Sequence, residues 1–219
     1  MGAITRAAAN NITTGGVILP SAINDASVAS VSSLAQVSAG DGITLISSQT
    51  ASASASLSFT SGIDSTYRTY LFKFINIHPA TDSVNFTFNL STDSGSNYNV
   101  TKTTTIFNNY HDEADTATDL GYRTGADLAQ STAYQVIGDG TWGNGSDESG
   151  SGFLTLFNPS STTYVKHFIS DINFYYVSDF TIRSMMAGYG NTTSAINAID
   201  FKFTSGNIDA GTIHMYGIA

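Results

Sequence analysis

Residues 84–90 alternate without a break: Val84, Phe86, Phe88 and Leu90 are apolar, and Asn85, Thr87 and Asn89 between them are polar. Successive side chains of an extended backbone point to opposite faces, so this run buries one clean face only as a β-strand. The same period recurs over residues 67–77 (YRTYLFKFINI), where Tyr70, Phe72 and Phe74 share a face. Further strands are expected over residues 42–48, 51–59, 98–107, 133–137, 152–157, 164–176, 180–189, 199–204 and 212–218. Turn clusters punctuate them at Ser94-Gly95-Ser96, Asn158-Pro159-Ser160 and Ser205-Gly206-Asn207. Residues 108–130 read as irregular, with a short helix near residues 111–117, and residues 139–152 read as a Gly-, Asp- and Ser-rich loop. Many short strands with regular turns and almost no helical periodicity indicate an all-β fold, an antiparallel, jelly-roll-like β-sandwich.

The first 42 residues break this pattern. They hold no aromatic residue and consist largely of Ala, Ser, Asn and small aliphatics, punctuated by Gly15-Gly16 and Pro20. Ile23, Val28, Val31, Leu34 and Val37 fall at near-helical spacings. A weak amphipathic helix and an extended arm both fit, because Val and Ser are poor helix formers. So little apolar bulk cannot make its own core, so order in this segment requires a neighbour to pack on. Residues 1–42 are therefore read as an attachment or oligomerisation arm, with a tail of no fixed structure as the plain alternative. Gly40-Asp41-Gly42 marks the boundary, and residues 43–219 form the β domain.

Composition narrows the function classes. Charged residues are only 11% of the chain, so its polarity comes from Ser, Thr, Asn and Gly. The net charge is −9, and the eight Lys and Arg residues are scattered singly. Such a body repels nucleic acid, and no nucleic-acid partner is expected. No apolar run reaches the ~18 residues of a membrane span, so no membrane insertion is expected. With no cysteine, disulfides and thiolate metal sites are excluded.

The four histidines, His78, His111, His167 and His214, match no H-E-x-x-H pattern, and no P-loop or G-x-S-x-G is present. The only two glutamates, Glu113 and Glu148, sit in expected loops, a weak basis for a glycosidase pair. No enzyme activity and no cofactor are expected. Asp112, Asp115 and Asp119 form the densest acidic stretch. They are weak Ca²⁺ candidates, and a solvated loop or a helix cap accounts for them equally. Trp142, the lone tryptophan, sits in the Gly-rich loop. It either stacks on a glycan or a protein partner, or folds back over one end of the sandwich. Tyr110, Tyr122 and Tyr134 carry the same two readings.

Residues 191–203 (NTTSAINAIDFKF), 205–208 (SGNI) and 211–218 (GTIHMYGI) resemble the closing strands of virion structural proteins of marine and cyanobacterial phages, often described as tail-fibre-like. Residues 72–82 (FKFINIHPATD), 91–99 (STDSGSNYN) and 152–161 (GFLTLFNPSS) are similar to the same family. The resemblance runs over about residues 44–219. It implies a jelly-roll-like body displayed on a phage particle, no catalytic residues, and a homotrimer. The expectation is a non-enzymatic virion protein, a short tail fibre or a capsid decoration knob. It would be anchored to other virion proteins through residues 1–42 and able to contact host surface polysaccharide. A soluble lectin-like β-sandwich is the alternative, and a glycan depolymerase is a more distant one.

Overall fold

A computed structural model of the chain describes residues 42–219. The proposed arm residues Ile23, Val28, Val31, Leu34 and Val37 lie outside the described residues. Twelve strands follow in order: β1 (Ile43–Thr50), β2 (Leu57–Phe59), β3 (Thr69–Pro79), β4 (Val84–Ser91), β5 (Lys102–Asp112), β6 (Thr118–Tyr122), β7 (Gln135–Trp142), β8 (Gly150–Phe157), β9 (Lys166–Tyr176), β10 (Phe180–Gly190), β11 (Ala198–Phe203) and β12 (Ile208–Ile218). The described residues contain no helix. The all-β, antiparallel class expected from the alternation is therefore what the chain forms.

The ladders fall into two runs. One is ordered β1-β12-β3-β8-β9-β10-β5-β6 and the other β7-β4-β11-β2. They join where Trp142 of β7 pairs with Tyr176 of β9. Every ladder is antiparallel, so neighbours close through turns rather than long crossovers where they are consecutive in sequence, as with β9 and β10.

The core lies between the inner faces of the two runs. Tyr70, Phe72 and Phe74 of β3 are fully buried, and so are Phe86, Phe88 and Leu90 of β4. Phe201 of β11 sits at the centre. Its ring centroid lies 5.5 Å from Phe72 and 5.2 Å from Phe74 on the longer run, and 6.1 Å from Phe86 beside it. Phe74 meets Phe86 at 5.4 Å, and Phe88 meets Phe168 of β9 at 5.2 Å, both edge to face. Edge-to-face contact places the positive rim of one ring on the negative face of the next.

Two segments differ from the sequence reading. Residues 111–117 are not helical: β5 continues to Asp112, and a tight turn leads straight into β6. Asp112 drives that turn, since its Oδ1 accepts the backbone N–H groups of Thr116 and Ala117, each at 2.8 Å. Its side chain thus competes with helix formation for those donors. Residues 139–142 belong to β7, and Gly150 and Ser151 to β8, so the loop shrinks to residues 143–149. The glycines there are strand residues that make room. A Cβ on Gly150 would lie 2.3 Å from the indole of Trp142.

The inner face of β5 is unexpectedly polar. Lys102 is fully buried, and its Nζ donates to Asn89 Oδ1 at 2.5 Å and to the Val100 carbonyl at 2.8 Å. Lys166 is also fully buried, with Nζ donating to the carbonyls of Tyr164 (2.7 Å) and Thr192 (3.2 Å). Both lysines pair with Gly190 of β10 from opposite sides. Neither has a carboxylate partner among the described residues. Burial pulls the Lys102 ammonium down to about 8, because a charge away from water lacks its solvation. The unfolded chain therefore binds this proton more tightly than the folded one. The cost is fully present below pH 8 and is relieved as pH rises from about 8 to about 10.5. Wild-type stability relative to Lys102→Met should accordingly rise by about 3 kcal/mol across that window. Urea unfolding of both proteins at stepped pH measures it, and parallel pH profiles would contradict the assignment.

Candidate functional site

Near the junction of the two runs a half-open cavity of about 290 Å³ lies among β5, β7, β9 and β10. Alternation along β5 turns Asn108 and Tyr110 inward, on the same face as Lys102, Thr104 and Ile106. Asp139 and Gly140 come from β7, Tyr176 from the end of β9, Phe180 and Ile182 from β10, and Arg123 follows directly on β6. Phe180 forms the middle of an aromatic wall, edge to face with Tyr110 at 5.3 Å and with Tyr176 at 5.5 Å.

Polar groups line the rest of the cavity. The Arg123 guanidinium stands 5.9 Å from the Tyr110 ring centroid, a cation–π geometry. Its Nη2 is 3.7 Å from Asp119 Oδ2 and its Nε is 3.8 Å from Asp139 Oδ2. Both separations exceed a hydrogen bond, so the charges attract without saturating the donors. Arg123 Nε and Asn108 Oδ1 are buried atoms with no hydrogen-bond partner. The Asn108 amide donates to the Asp139 carbonyl, and reaches the Asp139 carboxylate only at 3.4 Å. Burial pushes the Asp139 carboxyl up from its ordinary value, and Arg123 offsets part of that rise. The Asp139 side chain is part-exposed (28%), so its carboxylate faces the cavity, whereas Asn108 Oδ1 and Arg123 Nε are the buried atoms left without a partner there.

The residues singled out by sequence go to different places. Tyr110 lines the cavity. Trp142 does not face solvent: it is 1% exposed and stacks on Phe174 at 4.6 Å and 8°. Its Nε1–H points to the Gly138 carbonyl at 3.4 Å. The reading of Trp142 as a glycan or partner contact is thus corrected, because Gly138 and Gly150 open a slot that draws the indole into the core. Tyr122 is exposed on β6, its hydroxyl donating to Asp127 at 2.7 Å. Tyr134 is half-buried; its hydroxyl donates to Asp200 at 2.9 Å, and Lys202 Nζ lies 4.0 Å over its ring. Burial and the Asp200 charge raise this phenol's pKa. The four aromatics therefore form no common platform.

The weak Ca²⁺ candidates do not converge either. Asp112 is occupied by its turn, Asp115 Oδ1 lies 3.0 Å from His111 Nε2 and accepts from it when that nitrogen carries the proton, and Asp119 faces Arg123. Among the described residues no group of three or more His, Asp or Glu side chains could hold a metal ion. Sequence reasoning missed Asn108, Arg123, Asp139, Tyr176 and Phe180. The available signal was a polar residue, Asn108, at an inward position of an alternating strand.

A second feature is the outer face of the longer run. Cross-strand pairing sets Tyr122, Phe107, Met185, Asp171, Phe153 and Lys73 in one row over six strands. Beside it run Thr105, Ala187, Ile169, Thr155 and Leu71. Phe107, Phe153 and Ile169 are each about 40% exposed (38, 38 and 44%). Asp171 is neutralised by Arg183, whose Nε donates to it at 2.9 Å beside a second bond from Nη2.

No protein-family model, no curated protein and no solved structure matches this chain.

Asp139→Asn keeps the side-chain shape while removing a charge that burial disfavours. The variant should melt at a higher temperature than wild type at pH 7. The gain should vanish once the pH falls well below the ordinary carboxylate range, where wild-type Asp139 is protonated in both folded and unfolded chains. Paired thermal melts at pH 7 and pH 3 measure this, and a lower melting temperature for the variant at pH 7 would contradict it.

Proposed function

We propose that this chain is a non-enzymatic structural protein of a bacteriophage particle. In this reading it is a short tail fibre or capsid decoration knob, with a jelly-roll-like sandwich body carried on residues 1–42. The observation that carries the reading is the outer face of the longer run. It is broad, studded with half-exposed apolar side chains, and nearly free of unpaired charge. Contiguous half-exposed apolar side chains such as Phe107, Phe153 and Ile169 are a feature of surfaces that contact other chains. Low surface charge weakens the self-repulsion that keeps subunits apart. The resemblance of residues 44–219 to phage virion proteins points the same way and supplies the homotrimer. Host polysaccharide contact, if made, involves the cavity at Tyr110 rather than Trp142. A soluble lectin-like role is the second reading, and that same cavity favours it.

The reading is tested by light scattering after size exclusion on the full chain, on Phe153→Lys/Ile169→Lys, and on a chain beginning at Gly40. The expected result is a trimer for the full chain and dissociation of both altered forms. A monomeric full chain would overturn the self-assembling virion reading and leave the lectin.

A further inference from the structure

We propose that the cavity among β5, β7, β9 and β10 binds one neutral sugar ring. The inference deepens the polysaccharide contact within the reading above, but it rests on the cavity alone and not on where the chain resides.

The chemistry of the lining selects the ligand. Tyr110, Phe180 and Tyr176 give one apolar wall of ring edges and faces, against which the C–H face of a pyranose can pack. Beside the Tyr110 ring, Arg123 offers N–H donors that no protein group accepts within hydrogen-bond distance. Asp139 offers carboxylate oxygens whose nearest protein donor, the Asn108 amide, is 3.4 Å away. A ring bearing hydroxyls both donates and accepts, so it satisfies a guanidinium and a carboxylate together. Purely apolar ligands would leave both groups unpaired, at a steep cost.

Charge excludes the ionic alternatives. One guanidinium faces two carboxylates, Asp119 and Asp139, so an acidic sugar or a phosphate would meet net negative charge. A cationic ligand would have to displace Arg123 from the same carboxylates. The size also fits. A volume of about 290 Å³ lies at the small end of the ~300–1,000 Å³ typical of ligand sites, which suits one ring rather than an oligosaccharide. The walls stand mainly on strands, and a Cβ at Gly140 would lie within 3.3 Å of Ile182, Phe174 and Tyr176. The cavity is thus preorganised, which lowers the ordering cost of binding.

Saturation-transfer NMR on the full chain tests this, using methyl glycosides of glucose, galactose, mannose and N-acetylglucosamine as probes. At least one probe should receive saturation at its ring C–H protons. Asp139→Asn, which retains the fold, should weaken that binding at least about tenfold, in line with the loss of a charge-assisted hydrogen bond. Tyr110→Phe should bind like wild type, because the ring and not the hydroxyl supplies the wall, whereas Tyr110→Ala should lose the signal. Competition by host polysaccharide that exceeds that of the free glycoside would identify a glycan terminus as the natural source. Equal competition would identify the free sugar. No transfer to any probe, or equal binding by wild type and Asp139→Asn, would overturn the proposal and leave a water-filled cavity. A monomer that binds sugar would remove the trimeric virion reading and keep the site. A trimer that binds none would do the reverse.

Discussion

The contact of Phe201 with Phe72 and Phe74 is what makes one body of two ladders. Hydrogen bonds hold each run together internally, but backbone pairing joins them only at Trp142 and Tyr176. The rest of what binds the runs is side-chain packing together with side-chain hydrogen bonds such as Lys102 to Asn89 and Thr104 to Gln135. Phe201 sits on the shorter run and reaches β3 at the middle of the longer one, while Phe59, Phe86 and Phe88 extend the layer to either side. Burial of rings of this size supplies the largest favourable contribution per residue available to such a chain. The polar, charge-poor exterior is compatible with it because stability comes from this layer rather than from surface ion pairs, which contribute little.

Away from that layer the interior becomes polar, and the change follows β5. At its start, Lys102 and Asn89 share hydrogen bonds, and Thr104 donates to the buried Gln135 amide oxygen at 2.5 Å. Two acceptors serve the Lys102 ammonium, whose burial still lowers its pKa to about 8. Further along the same inward face, Asn108 Oδ1 and the neighbouring Arg123 Nε are buried without a partner beside the part-exposed Asp139, around an open space. The polarity of β5 thus passes from a hydrogen-bonded interior at its start to unpaired groups at the cavity. The outer face and the cavity lie on different sides of the longer run, so assembly and ligand binding can coexist in one subunit.

Much of this was legible in the sequence. The alternation of Val84, Phe86, Phe88 and Leu90, and of Tyr70, Phe72 and Phe74, gave the buried faces directly, since a period of two has one physical reading. Local chemistry that needs a distant partner was not legible. Gly150 read as a loop glycine, yet it is a strand residue whose missing side chain, with that of Gly138, admits the indole of Trp142. Asp112 read as a metal or helix-cap candidate, whereas its carboxylate closes the β5–β6 turn. Nothing in the sequence marked Lys102 and Lys166 for burial, because that depends on carbonyls that only the fold brings near. The cavity drew Tyr110 from the sequence reading, but its polar groups come from three separate segments, β5, the end of β6 and β7, and no spacing rule connects them.

The central claim is that an aromatic layer centred on Phe201 couples the two ladders. Urea unfolding of Phe201→Ala, followed by circular dichroism, tests it most directly. The account requires a loss of about 3–5 kcal/mol, the range for truncating a fully buried phenylalanine, with a single cooperative transition shifted to lower urea. A loss within about 1 kcal/mol, the range of a site that packs against little, would show that the runs are held together by something else.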